Sequence, residues 1–290
     1  MGVNTFSKFK HFLALSFTLL VVYASAQNIE FGLYGGVSNY IGDVSEQKMR
    51  FDQFHPSAAV MGRYNVSQRL TLKGMIAYGK VSGADSLASK AKNKMRNTNF
   101  HSDIYEFSVH AEYNLVPNKM SGRGGRPLVP YIFGGLGIFH FNPKTEFGGN
   151  TYELQPLGTE GQGTTQYNNL KKYDLTTICI PMGVGLKKRV SQSFVVGVEA
   201  GVRFTFTKYL DDIGGKYANA NVIARAYGPT AGSLANRTGE VASDYPNIPI
   251  AREGDLRTTP GLIFGTDMYF LAGFSISYIF QNTGMLCPRL

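Results

Sequence analysis

From Asp103 to Leu115 the chain alternates without a break. Tyr105, Phe107, Val109, Ala111, Tyr113 and Leu115 fall on one side, and Glu106, Ser108, His110, Glu112 and Asn114 on the other. Successive side chains of a strand point to opposite faces, so this period predicts a strand with one apolar and one polar face. The run is longer than the usual soluble strand of about 5–6 residues and suits the roughly 9–11 of a strand crossing a bilayer.

Seven further segments fit the same plan: Ile29 to Tyr40, Pro56 to Asn65, Leu70 to about Lys80, Val129 to Phe141, Tyr173 to Lys188, Phe194 to Phe206 and Met268 to Phe280. In the sixth segment along the chain Ile178, Ile180, Met182, Val184 and Leu186 mark the outer face, and Pro181 predicts a bulge. In FGGLGIFHF of the fifth, both faces are apolar or glycine, so only its length and flanks mark it as a strand. Val66-Ser67-Gln68 and Val190-Ser191-Gln192 are tight connections, whereas about 81–100, 142–172 and 207–267 are long loops.

Eight strands with alternating long and short connections predict an all-β fold. It is an eight-stranded antiparallel transmembrane β-barrel with short periplasmic turns and long extracellular loops. A soluble eight-stranded barrel alternates too, with its apolar side inward. Charged residues on the polar face and aromatics near strand ends favour the membrane form.

Composition sharpens the address. Lys8 and Lys10 precede an apolar run from Phe12 to Tyr23, and Ala24-Ser25-Ala26 reads as a cleavage site. The expected organisation is a signal peptide over 1–26 and one barrel domain over 27–290, placed in the outer membrane of a Gram-negative cell. The formal charge of the whole chain is +9. Losing Lys8 and Lys10 leaves 27 basic against 20 acidic residues, a balance that suits lipopolysaccharide phosphates. Nucleic acid is not expected, since the address is extracytoplasmic and no recognition helix is visible. Cys179 and Cys287 could form one disulfide, but their placement mid-strand and in the tail favours free thiols.

The polar faces supply Arg63, Arg69, Lys73, Glu106, His110, Glu112, Glu199 and Arg203. A small barrel is just filled by side chains, so these predict a lumen charge network. Ser108 and His110 share a face, but no independent motif supports catalysis, and no enzyme activity is expected. Asp211-Asp212 before Gly214-Gly215 lacks the D-x-[DN]-x-[DN]-G pattern of a calcium loop and reads as a solvated turn. His55, His101 and His140 have no ligand-like spacing, so neither metal nor cofactor is expected. KAKNKMR, Lys90–Arg96, reads as a solvated basic loop. Ala218 to Arg237 predicts one or two short helices broken at Gly228-Pro229.

An ordered series of segments carries a resemblance: GLYGGVSNYIGD, YIFGGLGIFHFNPK, YELQPLGTEGQG, RFTFTKYLDDIGGKY, NVIARAY with SLANR, and DMYFLAGFSISYIF. Together they resemble the outer-membrane barrel of the type IX secretion system of Bacteroidetes, the PorG-like family. The resemblance implies a non-enzymatic component of protein secretion. Its partners would be the periplasmic ring of that system, a lipoprotein and its partner protein. Periplasmic contact would fall at 118–127 and 281–290. Tyr152, Leu154, Gln155, Pro156, Gly158, Glu160, Tyr209, Asp211 and Asp212 are candidates for either partner binding or loop-on-loop packing. The alternative is a general small outer-membrane barrel, adhesive or envelope-stabilising, without a secretion role.

Overall fold

The computed structural model describes residues 29–46, 49–118, 127–259 and 265–280. The expected signal peptide over 1–26, Cys287, and residues 119–126 and 281–290 lie outside them.

Eight long strands close on themselves. They are β1 (Ile29–Ile41), β2 (His55–Asn65), β3 (Leu70–Ala84), β4 (Asn99–Asn114) and β5 (Leu128–Phe141), then β8 (Thr176–Arg189), β9 (Phe194–Thr205) and β10 (Met268–Phe280). Between β5 and β8 a small hairpin, β6 (Lys144–Phe147) and β7 (Asn150–Glu153), extends the edge of β4. All neighbours run antiparallel, β1 pairs with β10, and the β3–β4 pairing completes the ring. Closure leaves no edge strand within the ring, as a sheet in lipid requires.

The alternation holds round the ring. Phe107 is 53% exposed on the outside of β4, Leu136 69% on β5 and Phe274 73% on β10, whereas Lys73, His110 and Glu112 inside are fully buried. A closed barrel with its apolar side chains outward and its ionic ones inward is a transmembrane β-barrel; in water the apolar belt would be costly. Among the described residues no helix is long and apolar enough to cross a membrane.

The ends differ. At one, the two Val-Ser-Gln turns use the same device: Ser67 Oγ accepts from the Leu70 amide at 3.0 Å, and Ser191 Oγ from the Phe194 amide at 3.0 Å. At the other, the long loops fold into a cap. They carry helices α1 (Ala91–Arg96), α2 (Leu154–Leu157), α3 (Ala220–Tyr227) and α4 (Pro229–Ala235). The predicted helix pair is therefore present, broken at Gly228 with φ +97°. A continuous apolar core joins rim to cap through Tyr40, Phe100, Phe141, Leu210, Ile213 and Leu234.

Three local expectations need correction. Pro181 makes no bulge: Gly134 pairs with Met182 and Gly137 with Cys179, the same register on both sides of the proline. The Lys90–Arg96 run is not a solvated loop: α1 buries Asn93, Met95 and Arg96. Arg69 is exposed in the β2–β3 turn, its guanidinium donating to the Leu115 carbonyl rather than joining the lumen.

Candidate functional site

The lumen is where sequence and packing converge. The fifth strand puts Tyr131 and Phe133 inward, against a floor of Gly183, Gly185 and Gly201. A Cβ on any of the three would overlap these rings. The rings in turn flank the charges: Lys73 Nζ lies 4.7 Å above Phe133, and Lys187 Nζ lies 4.8 Å above Tyr131.

Arg63, Lys73, Lys187 and Arg203 face Glu30, Glu106, Glu112 and Glu199, four cations against four anions, all buried. Arg63 Nε donates to Glu112 at 3.0 Å, and Lys187 Nζ to the other oxygen of Glu112 at 2.8 Å. Lys73 Nζ donates to Glu199 at 2.7 Å, and Arg203 Nε to Glu106 at 3.2 Å. Tyr131, Tyr269 and Ser277 donate hydroxyls to Glu199, Glu106 and Glu30. Of the predicted members, Arg63, Lys73, Glu106, His110, Glu112, Glu199 and Arg203 lie buried in the lumen, and Arg69 does not. Sequence reasoning missed Glu30 and Lys187, whose parity with Phe31 and Leu186 places them inward. A cavity beside Glu106, lined also by Gly79 and Leu271, has a volume of about 10 Å³, at the limit for one water. The interior is plugged by matched ion pairs, in which each charge is compensated by a partner.

Ser108 and His110 belong to this plug. Ser108 Oγ donates to Glu106 at 2.6 Å and receives His110 Nε2 at 2.9 Å, while His110 Nδ1 has no partner. The carboxylate holds the serine rather than orienting the imidazole. That is not the relay nucleophilic catalysis uses.

The cap collects the loop candidates. Leu154, Gly158, Glu160, Asp211 and Asp212 are buried, Tyr152, Gln155 and Tyr209 half-buried, and Pro156 exposed. Gly158 has φ +54°, and a Cβ there would overlap the Gln162 carbonyl, so the turn needs glycine. Gln155 Nε2 donates to the Tyr173 carbonyl at 3.0 Å, Lys172 Nζ donates to the Pro156 carbonyl at 2.7 Å, and Tyr209 stacks on Tyr173 at 4.6 Å. Glu160 accepts from the Gly214 and Gly215 amides, both at 3.1 Å, and Arg257 reaches both Glu160 and Asp212. Asp212 also accepts from Tyr173 Oη at 2.8 Å. Asp211-Asp212 is thus no solvated turn but the centre of a loop-on-loop contact. Burial pushes the Glu160 carboxyl up to about 7 despite Arg257, and raises Asp212 as well.

The geometry defines a plugged, membrane-spanning eight-stranded barrel with a folded cap. The family model described as "Domain of unknown function (DUF6089)" matches residues 9–228, and the chain belongs to that family. No curated protein sequence matches the chain. Among solved structures it is similar to the attachment invasion locus protein Ail of Yersinia pestis, in complex with the heparin analogue sucrose octasulfate. The identity is 9%, the match covers 88% of this chain and 99% of that one, and the TM-score is 0.40. It is also similar to the N-terminal β-barrel domain of Pseudomonas aeruginosa OprF, at 10% identity, 88% and 98% coverage and TM-score 0.37. Neisserial surface protein A is matched at 8% identity, 88% and 97% coverage and TM-score 0.37. At such values the fold description rests on the strand pairing itself.

Proposed function

We propose that this chain is a non-enzymatic integral outer-membrane protein of the type IX secretion system, an anchor for its periplasmic ring. The observation that carries the reading is the plug. Lys73 and Glu199 meet across the lumen, so a folded or unfolded cargo chain has no path through it. A sealed barrel in a secretion system serves by holding other parts to the membrane. The ordered motifs from GLYGGVSNYIGD to DMYFLAGFSISYIF supply the secretion assignment. The long-loop cap faces the outside and the Val-Ser-Gln turns face the periplasm, where the ring's lipoprotein and its partner bind at 118–127 and 281–290. Lys90 and Lys92, exposed on the cap, offer charge to lipopolysaccharide phosphates.

The test is a pull-down of the tagged protein from detergent-solubilised membranes, with a clean deletion beside it. Ring proteins should co-purify, and the deletion should stop secretion. Normal secretion after deletion contradicts the reading. Permeability or surface defects with secretion intact would mark a general envelope barrel instead.

A further inference from the structure

Charge is balanced in the lumen but not in the cap. Among the described residues, the buried cap charges are Asp43, Asp85, Glu160, Asp211, Asp212 and Asp267 against Arg96 and Arg257. Arg96 pairs with Asp85, and Arg257 with Glu160 and Asp212. That leaves Asp43, Asp211 and Asp267. Each offers one carboxylate oxygen, and these oxygens lie within 4.8 Å of one another. Among the described residues, none of the three has a basic side chain at ion-pairing distance.

We propose that Asp43, Asp211 and Asp267 bind a hard divalent cation, calcium in preference to magnesium, that fastens the 206–267 loop to the barrel rim. The hydrogen bonds around the cluster are too few and all neutral. Asp211 accepts from the Ile213 amide at 2.9 Å, Asp267 from the Leu210 amide at 3.0 Å, and Asp43 Oδ1 from the Thr259 amide. The Tyr40 hydroxyl has one proton but lies 2.5 Å from Asp211 and 3.2 Å from Asp267. Asp43 Oδ2 is buried with no hydrogen-bond partner at all. A carboxylate oxygen held out of water beside two more carboxylates is a group built for a cation.

The donor set selects the kind of ion. All the donors are oxygens, with no His or Cys, which favours calcium or magnesium over zinc. Calcium–oxygen distances of about 2.3–2.6 Å let ligands on opposite sides stand about 5 Å apart, whereas magnesium, at about 2.0–2.1 Å, spans only about 4.2 Å. The three oxygens lie within 4.8 Å of one another, a bound that calcium accommodates over its whole range. The ligands come from the exit of β1, the long loop and the entry of β10. One ion would join these three segments, adding to the Arg96 guanidinium, which donates to the Asp43 and Arg257 carbonyls.

The full chain, refolded from urea into detergent with calcium or with EDTA, gives the test. Calcium should slow proteolysis of the 206–267 loop at least five-fold. Terbium should bind with one-to-one stoichiometry, its emission sensitised by Tyr40. Asp43→Asn and Asp211→Asn, isosteric and able to keep their amide hydrogen bonds, should weaken terbium binding at least ten-fold. Two results would overturn the proposal. One is wild-type protein that binds neither calcium nor terbium at millimolar concentration and is digested at one rate in both buffers. The other is unchanged binding in a folded variant. If both variants fail to fold, the wild-type proteolysis comparison decides.

Discussion

Lys73 Nζ and Glu199 Oε2 meet at 2.7 Å from opposite walls of the barrel. Lys73 stands on β3 and Glu199 on β9, four strands apart in either direction round the ring. An ion pair across the full diameter closes the lumen and braces it.

Breaking that pair leaves a buried charge without its partner. Lys73→Met or Glu199→Gln alone should destabilise the barrel by about 3–5 kcal/mol. The double variant should recover much of that loss, because it removes both charges. Urea unfolding in detergent, followed by the shift between folded and unfolded bands on unheated gels, measures each.

The outward face makes the opposite demand. Phe107 sits mid-strand among Ile76, Ile138 and Val109, all exposed on the outside. Phe107→Arg should cost about 2–4 kcal/mol in folding into lipid vesicles. Exposed Arg69 lies in a turn beyond the belt, and Arg69→Ala should cost well under 1 kcal/mol.

Most of this was legible from alternation alone. Lipid on one side and ion pairs on the other force every second residue of a long strand to be apolar, and seven of the eight barrel strands lie where the period places them, the fifth being marked by its length and flanks. The hairpin β6–β7 is too short to stand out by period, although Gly148-Gly149 sits between two short alternating runs. Its φ values of +57° and +79° are those of a tight primed turn. The fifth strand defeated the period because Tyr131 and Phe133 look like lipid-facing residues but lie inward on glycines. The cap was the least readable. Asp43, Asp211 and Asp267 come from three separate segments, and no spacing along the chain announces that they meet.

His110 is packed, not poised. It stacks on Phe133 at 5.2 Å and reaches only Ser108 with Nε2. His110→Ala should leave assembly and partner association intact, with a stability loss of about 1–3 kcal/mol from the lost contact. Loss of function in a fully assembled His110→Ala barrel would reopen the case for catalysis.

The cap should respond to pH through Glu160. Its carboxyl titrates at about 7 in the folded cap against 4.5 ordinarily, so the folded state holds the extra proton. The stability this contributes is complete below about pH 4.5 and is lost as pH rises through about 7. Hydrogen exchange at Gly214 and Gly215, the amides Glu160 accepts from, should therefore quicken across that window beyond the intrinsic rate increase. Glu160→Gln, which stays neutral, should abolish the excess.

One reporter addresses the central claim that the apolar face meets lipid and the ionic face meets itself. The chain has no tryptophan, so Phe107→Trp introduces a single tryptophan, excited selectively over the tyrosines, on the outside of β4. In vesicles of lipids brominated at mid-chain its emission should be blue-shifted and strongly quenched. Unquenched emission from protein that stays in the aqueous phase without detergent would contradict the account.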